Sequence, residues 1–348
     1  MKCKILFFIL LFVLNSCKKE SINTSEDWHV ISENVRFKDD TKTFELQSGK
    51  FKYAILQSKL PYQKVILLNA SLVGYLAELG LEEKIAGISS PEYVFSPVLN
   101  TFIANGTIQN VGNEQKYDIE KIIAAKPDAV FTNYISSFDN TYDLLRKNGI
   151  EIIFLDEYLE QDPVKKAEYL LVFGKLLGAE KQAAERLGSI RAAYDSLKNL
   201  AKKAQSSPKV LANEMYGNQW FLPGGKTSLA KLIKDANAQY IIAQNTDSKA
   251  IPMSFEEVMS RAEKAEFWVN VGNHRTKKEL LSINPNYTQM PVYHSGKLYT
   301  VSGRERGRAN DFFESGVVRA DIVLKDYIKI FHPELLPEYE LIYLKELK

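Results

Sequence analysis

Three arginines crowd into Ser302-Gly-Arg-Glu-Arg-Gly-Arg-Ala-Asn310, and this is the sharpest chemical feature of the sequence. Planar guanidinium forks take carboxylates and catecholates two hydrogen bonds at a time, and a glycine-punctuated loop can turn to present them. The run could also be a solvated loop, with Arg306 paired to Glu305 or Glu314. The pattern puts at least one of Arg304, Arg306 and Arg308 in a binding site without saying which. A second feature is a duplicated acid. Glu120 lies two places after Asp118 and Glu256 two places after Ser254, and each opens an amphipathic helix that leads into a buried strand ending in Asn. One acid in a first turn merely complements the helix dipole. Two acids at matching points of two units could instead meet two cations of a partner at a fixed separation.

Other chemistries fail on inspection. Pro223-Gly-Gly-Lys-Thr-Ser resembles a phosphate loop, but that motif needs glycine where Trp220 stands. Neither a Gly-x-Ser-x-Gly elbow nor His-Glu-x-x-His occurs, so no catalytic residue is assigned and the chain reads as no enzyme. A bare metal ion would need His274, His294 and an acid to converge, and no metal ligand or cofactor is assigned. The arithmetic of cysteine and charge points the same way. Cys3 lies in an N-terminal segment with Lys2, Lys4 and the apolar run Ile5–Leu14, too short to span a bilayer. Leu14-Asn15-Ser16-Cys17 resembles the lipobox of bacterial lipoproteins, which implies cleavage before Cys17 and a lipid on its thiol. Without residues 1–16 the chain carries 43 basic and 43 acidic side chains, which suggests no nucleic-acid partner.

The elements that must position these residues form two α/β halves around one helix. Glu180–Gln205 carries Ala183, Leu187, Ile190, Tyr194, Leu197, Ala201 and Ala204 on one stripe, spaced alternately four and three apart. Before it, strands at 64–69, 85–89, 129–133 and 150–156 alternate with helices at 72–79, 118–125 and 141–148, with Ser71 as a helix cap. After it come strands at 209–216, 267–271 and 297–301, with helices at 228–237, 254–263, 277–282 and 315–331. The predicted fold is α/β: two Rossmann-like lobes joined by one long rigid helix, with a ligand cleft between them. The boundaries are 1–16 signal peptide, 17–60 lipid anchor, tether and a short β-hairpin around Ser48-Gly49, 61–160 first lobe, 161–206 interlobe helices, and 207–348 second lobe. Ligands of such sheets sit at the C-terminal ends of the strands. Following each strand to its exit gives Asn69, Ser71, Ser90, Tyr93 and Tyr134, then Tyr216, Trp220, Asn273, His274 and Arg275. Aromatic rings suit an organic metal chelate and cations an acidic one.

Over about residues 61–335 the chain resembles the class III solute-binding proteins of ABC importers, of the iron-siderophore, cobalamin and haem type. The resemblance rests on Val65-Ile-Leu-Leu-Asn-Ala-Ser, Ile85-Ala-Gly-Ile-Ser, Asp118-Ile-Glu with Lys126-Pro-Asp, Gly174-Lys-Leu-Leu-Gly, Ser254-Phe-Glu, and Asn310-Asp-Phe-Phe-Glu-Ser-Gly. Where the family often has a Ser-Pro-Ser-like run, this chain has Asn69-Ala70-Ser71. The resemblance implies that a monomeric lipoprotein of the cell envelope captures an iron chelate, ferric siderophore or similar complex, and delivers it to a permease and its ATPase. Cobalamin or haem is the alternative ligand; a bare metal ion and a hydrolytic lipoprotein enzyme are remoter readings. It also implies that Glu120 and Glu256 dock onto permease arginines.

Overall fold

Strands buried on both faces cannot alternate polar and apolar residues, and three short runs in the first half show no alternation. Val65–Leu67, Ile85–Ile88 and Ala129–Thr132 are buried at every position. A computed structural model describes residues 28–274, 276–295 and 297–348. In it these strands form a parallel sheet, ordered Glu151–Phe154, Ala129–Thr132, Val65–Leu67, Ile85–Ile88, Gln109–Asn110. The second lobe repeats the plan with Gln239–Tyr240, Lys209–Ala212, Phe267–Val271 and Lys297–Thr300 in parallel, and Lys345–Glu346 antiparallel at the edge. That last strand is held by the buried Asp326 carboxylate, which accepts from the backbone N–H groups of Ile342, Tyr343 and Leu344 at 3.0, 2.6 and 2.9 Å.

The joining helix runs Glu180–Ala201, or roughly 33 Å at 1.5 Å per residue, and stops short of Gln205. Its single apolar stripe serves two cores. Ala183, Leu187 and Ile190 pack in the first lobe, Tyr194 and Ala201 in the second. The helix Pro163–Leu177, capped by Asp162 at 2.9 Å from the Val164 N–H, packs along it. Asp235 pins the far end, accepting from Tyr194 Oη at 2.9 Å and lying 3.0 Å from Lys198 Nζ.

Three expectations need correction. Between His29 and Leu56 the N-terminal extension is a four-stranded antiparallel sheet, in place of the expected tether to residue 34 and one hairpin: His29–Val30 and Val35–Asp39 precede Thr43–Ser48 and Phe51–Leu56. The part of the tether before residue 28 lies outside the described residues. Two isolated apolar residues in a polar stretch, Ile31 and Val35, are enough to seat it on the first lobe beside Phe44, Leu46 and Ile55. The closing helix is broken into Ser315–Val318 and Ala320–Phe331 at Arg319, whose guanidinium is turned back onto Asp321 at 2.8 and 3.0 Å. Ser71 does not cap a helix; its hydroxyl lies 2.5 Å from Glu157 Oε1, and Asn69 takes the Ser71 N–H. Cys17 lies outside the described residues.

Candidate functional site

The exits of the first lobe's strands supply one wall of a cavity between the lobes, and the arginine loop supplies the other. The cavity measures about 320 Å³, and Asn69, Ser71, Ser90 and Tyr93 face Arg308, Asn310, Phe313 and Glu314 across it. The loop is a tight hairpin in which Glu305–Arg306 pairs antiparallel with Ala309–Asn310. Gly307 and Arg308 form its turn; Gly307 has φ +61°, a left-handed conformation that glycine adopts without strain. That geometry separates the three arginines. Arg308 reaches across the cleft, its guanidinium contacting the Tyr93 hydroxyl and lying 4.7 Å from the ring centroid. Arg304 is committed to the buried Asp311 at 3.1 Å and to the Phe95 ring at 5.0 Å. Arg306 is exposed on the hairpin.

Glu314 does not pair with Arg306; its partners lie in the other lobe. Its carboxylate accepts from the backbone N–H groups of Phe95 and Ser96 at 2.6 and 3.0 Å. Burial pushes its pKa up to about 7; those two N–H groups and Arg304 pull it down, while Asp311 pushes it further up. The close approach is built into the sequence at Gly74, where an added Cβ would stand 2.2 Å from the Glu314 carbonyl oxygen.

Beyond Phe313 lies a second interlobe cavity of about 260 Å³, lined by Lys166, Ser228, Asn270, Phe312 and Tyr327 among others. Burial holds the Lys166 ammonium below the usual lysine pKa, against the opposing fields of Glu157 and Glu160. A larger space of about 810 Å³ sits on the second lobe beside Gln239–Tyr240, lined by none of the predicted site residues. Convergent polar and aromatic side chains of the two lobes meet in the cleft and make it the candidate site.

The remaining predicted residues disperse. Trp220 is fully buried, its ring tilted against Trp268 with centroids 5.3 Å apart and its Nε1–H donated to the Ala212 carbonyl at 3.0 Å, so it packs the core and lines no cleft. Tyr134 is covered by the extension, with Lys50 Nζ 3.9 Å from its ring and its hydroxyl donating to Asp139. Tyr216 stands 83% exposed at a hairpin end, and Asn273 is also exposed. His274 lies 2.6 Å from Glu214 on neighbouring strand exits. Arg275 lies outside the described residues. Glu120 and Glu256 are both exposed, and the caps are made by others: Asp118 accepts from the Lys121 N–H, and Ser254 closes a capping box with Glu257. The loop before Ser228–Asp235 is no phosphate cradle. Its N–H groups are spent on Lys249, Asn245 and Asp247.

Comparison with known proteins agrees with this architecture. A family model described as "Periplasmic binding protein" matches residues 65–304. An uncharacterized lipoprotein of Methanocaldococcus jannaschii is 23% identical over 285 residues, covering 79% of this chain and 66% of that protein. Among solved structures, a periplasmic haem-binding protein from Pseudomonas aeruginosa aligns with TM-score 0.64 at 18% identity, over 82% of this chain and 98% of that one. A siderophore-binding protein from Vibrio cholerae, solved with Fe3+-Desferal, aligns with TM-score 0.57 at 16% identity, over 77% and 98%. At such identities the structural likeness is one of fold.

Proposed function

The chain belongs to the periplasmic binding protein family, and we propose that it is the lipid-anchored substrate-binding protein of an ABC importer, taking an iron chelate between its lobes. The observation that supports this most is Arg308 on the cavity wall, with Tyr93 opposite and Phe313 beside it. A guanidinium takes the acid group of a chelate and the rings take its organic shell. A cleft of aromatic residues without arginine would favour cobalamin instead. A bare-ion site would have to grow from the His274–Glu214 pair, since among the described residues no group of three or more His, Cys, Asp or Glu is placed to hold a metal. The Cys17 lipid would hold the protein at the outer side of a membrane. Glu120 and Glu256, unused in capping, would meet the permease. The ligand is carried and released, with no catalytic step.

Thermal unfolding of a Cys17→Ser chain against ferric siderophores, haem, cobalamin and metal salts tests the reading. A ligand at a hundred times its dissociation constant adds about 2.7 kcal/mol, a melting shift of roughly 5 to 10 °C. We expect that shift with an acid-bearing iron chelate, and its loss in Arg308→Ala but not in Arg306→Ala. A shift with free zinc or manganese and with no chelate would sink it.

A further inference from the structure

We infer that the buried carboxylate of Glu157 is a positioning residue that turns the Ser71 hydroxyl into a hydrogen-bond acceptor toward the cleft, so that the ligand carries a hydroxyl or amide donor there as well as the acid met by Arg308. The inference rests on the chelate reading above and specifies the ligand further.

Burial pushes the Glu157 pKa up, and the Ser71 and Asn133 hydrogen bonds and the Lys166 charge pull it back. With the carboxylate ionised, each bond beneath the cleft floor has one direction. The Leu155 carbonyl can only accept, and so can an ionised Glu157. The Nδ2 of Asn133 faces both, at 2.5 and 2.9 Å, so that end of the amide is the NH2. Its Oδ1 must then accept, and it does so from the Nδ2 of Asn69. The Oδ1 of Asn69 accepts in turn from the Ser71 N–H at 2.9 Å. What remains is the Ser71 hydroxyl, 2.5 Å from the other Glu157 oxygen. Its proton points down at the carboxylate, and its lone pairs are left to the cavity that Ser71 lines.

Glu157 is only 1% exposed, so it touches no ligand itself and acts through Ser71 and Asn133. Burying a carboxylate is costly unless its lone pairs are answered. Among the described residues Glu157 has no ion pair within 4 Å, and the answer comes from the hydrogen bonds of the cleft floor, with Lys166 as a more distant cation. A neutral glutamine would fill the same space, but its amide nitrogen would have to face either Ser71 or Asn133. The polarity of the floor therefore depends on this being an acid.

Three probes separate the two demands, measured by titration calorimetry on the Cys17→Ser chain. Ferric dihydroxybenzoylserine carries carboxylates with amide and hydroxyl donors, haem carries carboxylates without such donors, and ferric desferrioxamine carries donors without carboxylates. We expect the first to bind tightest. Glu157→Gln should weaken ferric dihydroxybenzoylserine and ferric desferrioxamine tenfold or more while changing haem less than twofold. Ser71→Ala should reproduce that pattern and Ser71→Thr, which keeps the hydroxyl, should restore wild-type binding; these two carry the test if Glu157→Gln does not fold. Equal weakening of all three probes, no weakening, or wild-type binding confined to haem overturns the inference and leaves the chelate reading standing. No binding of any probe to the wild-type chain overturns both.

Discussion

Glu314 carries the clearest pH dependence in the molecule, because its carboxyl lies between the lobes on two backbone N–H groups and is almost fully buried. Its folded pKa, raised to about 7, lies well above the ordinary glutamate range. Between those two values the folded chain holds a proton that the unfolded chain has released. Folded stability from this group is therefore greatest on the acid side and falls as pH rises through the window, by on the order of 3 kcal/mol in all. Above about pH 7 the charged group persists in the cleft, held by the Phe95 and Ser96 N–H groups and by Arg304, at the cost of its burial. We predict that Glu314→Gln flattens the fall in melting temperature between pH 5 and pH 8, since a neutral amide can still accept from one or both N–H groups. A variant with the wild-type slope would place the titrating group elsewhere.

At the scale of elements, the long helix joins the lobes because its stripe enters two cores, and Asp235 fastens its second half. Burial raises the Asp235 pKa, but the Lys231 and Lys198 ammonium groups and the Tyr194 hydroxyl outweigh it and hold the carboxyl below the usual aspartate value. A depressed acid stabilises the fold above its unfolded pKa and loses that contribution as pH falls through its folded one. Asp235→Asn should thus cost roughly 2–4 kcal/mol at neutral pH, where two lysines are left beside a neutral amide, and much less in strong acid. Urea unfolding at the two pH values checks this, and an equal cost at both would refute the charge argument. The 4–3 spacing of Ala183, Leu187, Ile190 and Tyr194 made this helix legible in the sequence, as continuous apolar runs did for the strands. Which lobe each part of the stripe enters was not legible, because that depends on contacts far away in the chain. Trp220 was misread for a local reason. Gln219–Pro223 is a strand whose burial alternates from exposed Gln219 to buried Trp220, so the ring turns inward where a loop residue would have been free. Tyr134 was misread because the extension folds back over it, and Arg308 was singled out only by the hairpin register that puts it in the turn. Glu157 gave no signal at all: one acid among several in Asp156–Glu160, important only because Ser71 and Asn133 arrive from two other strands.

At the scale of the whole molecule, the two lobes make one object with an exposed, uncommitted acid on each. Asp118 and the Ser254–Glu257 box already satisfy the helix starts, so neither Glu120 nor Glu256 is used in capping. Exposed rim charges of this kind set encounter rate and orientation and add little to stability. Reversing them should therefore leave the ligand site alone and impair only a partner that reads both lobes at once. We predict that Glu120→Arg and Glu256→Arg each keep the wild-type melting temperature and chelate affinity, and that each lowers the ATPase stimulation of the reconstituted permease. The double variant should abolish stimulation, and the loss should be milder at high salt, where the added repulsion is screened. If one reversal alone had no effect, the two-point reading would fail and that glutamate would revert to a solvated first-turn acid. If both reversals weakened chelate binding as well, the lobes would be coupled to these helix starts in a way that their exposed, unengaged carboxylates give no reason to expect.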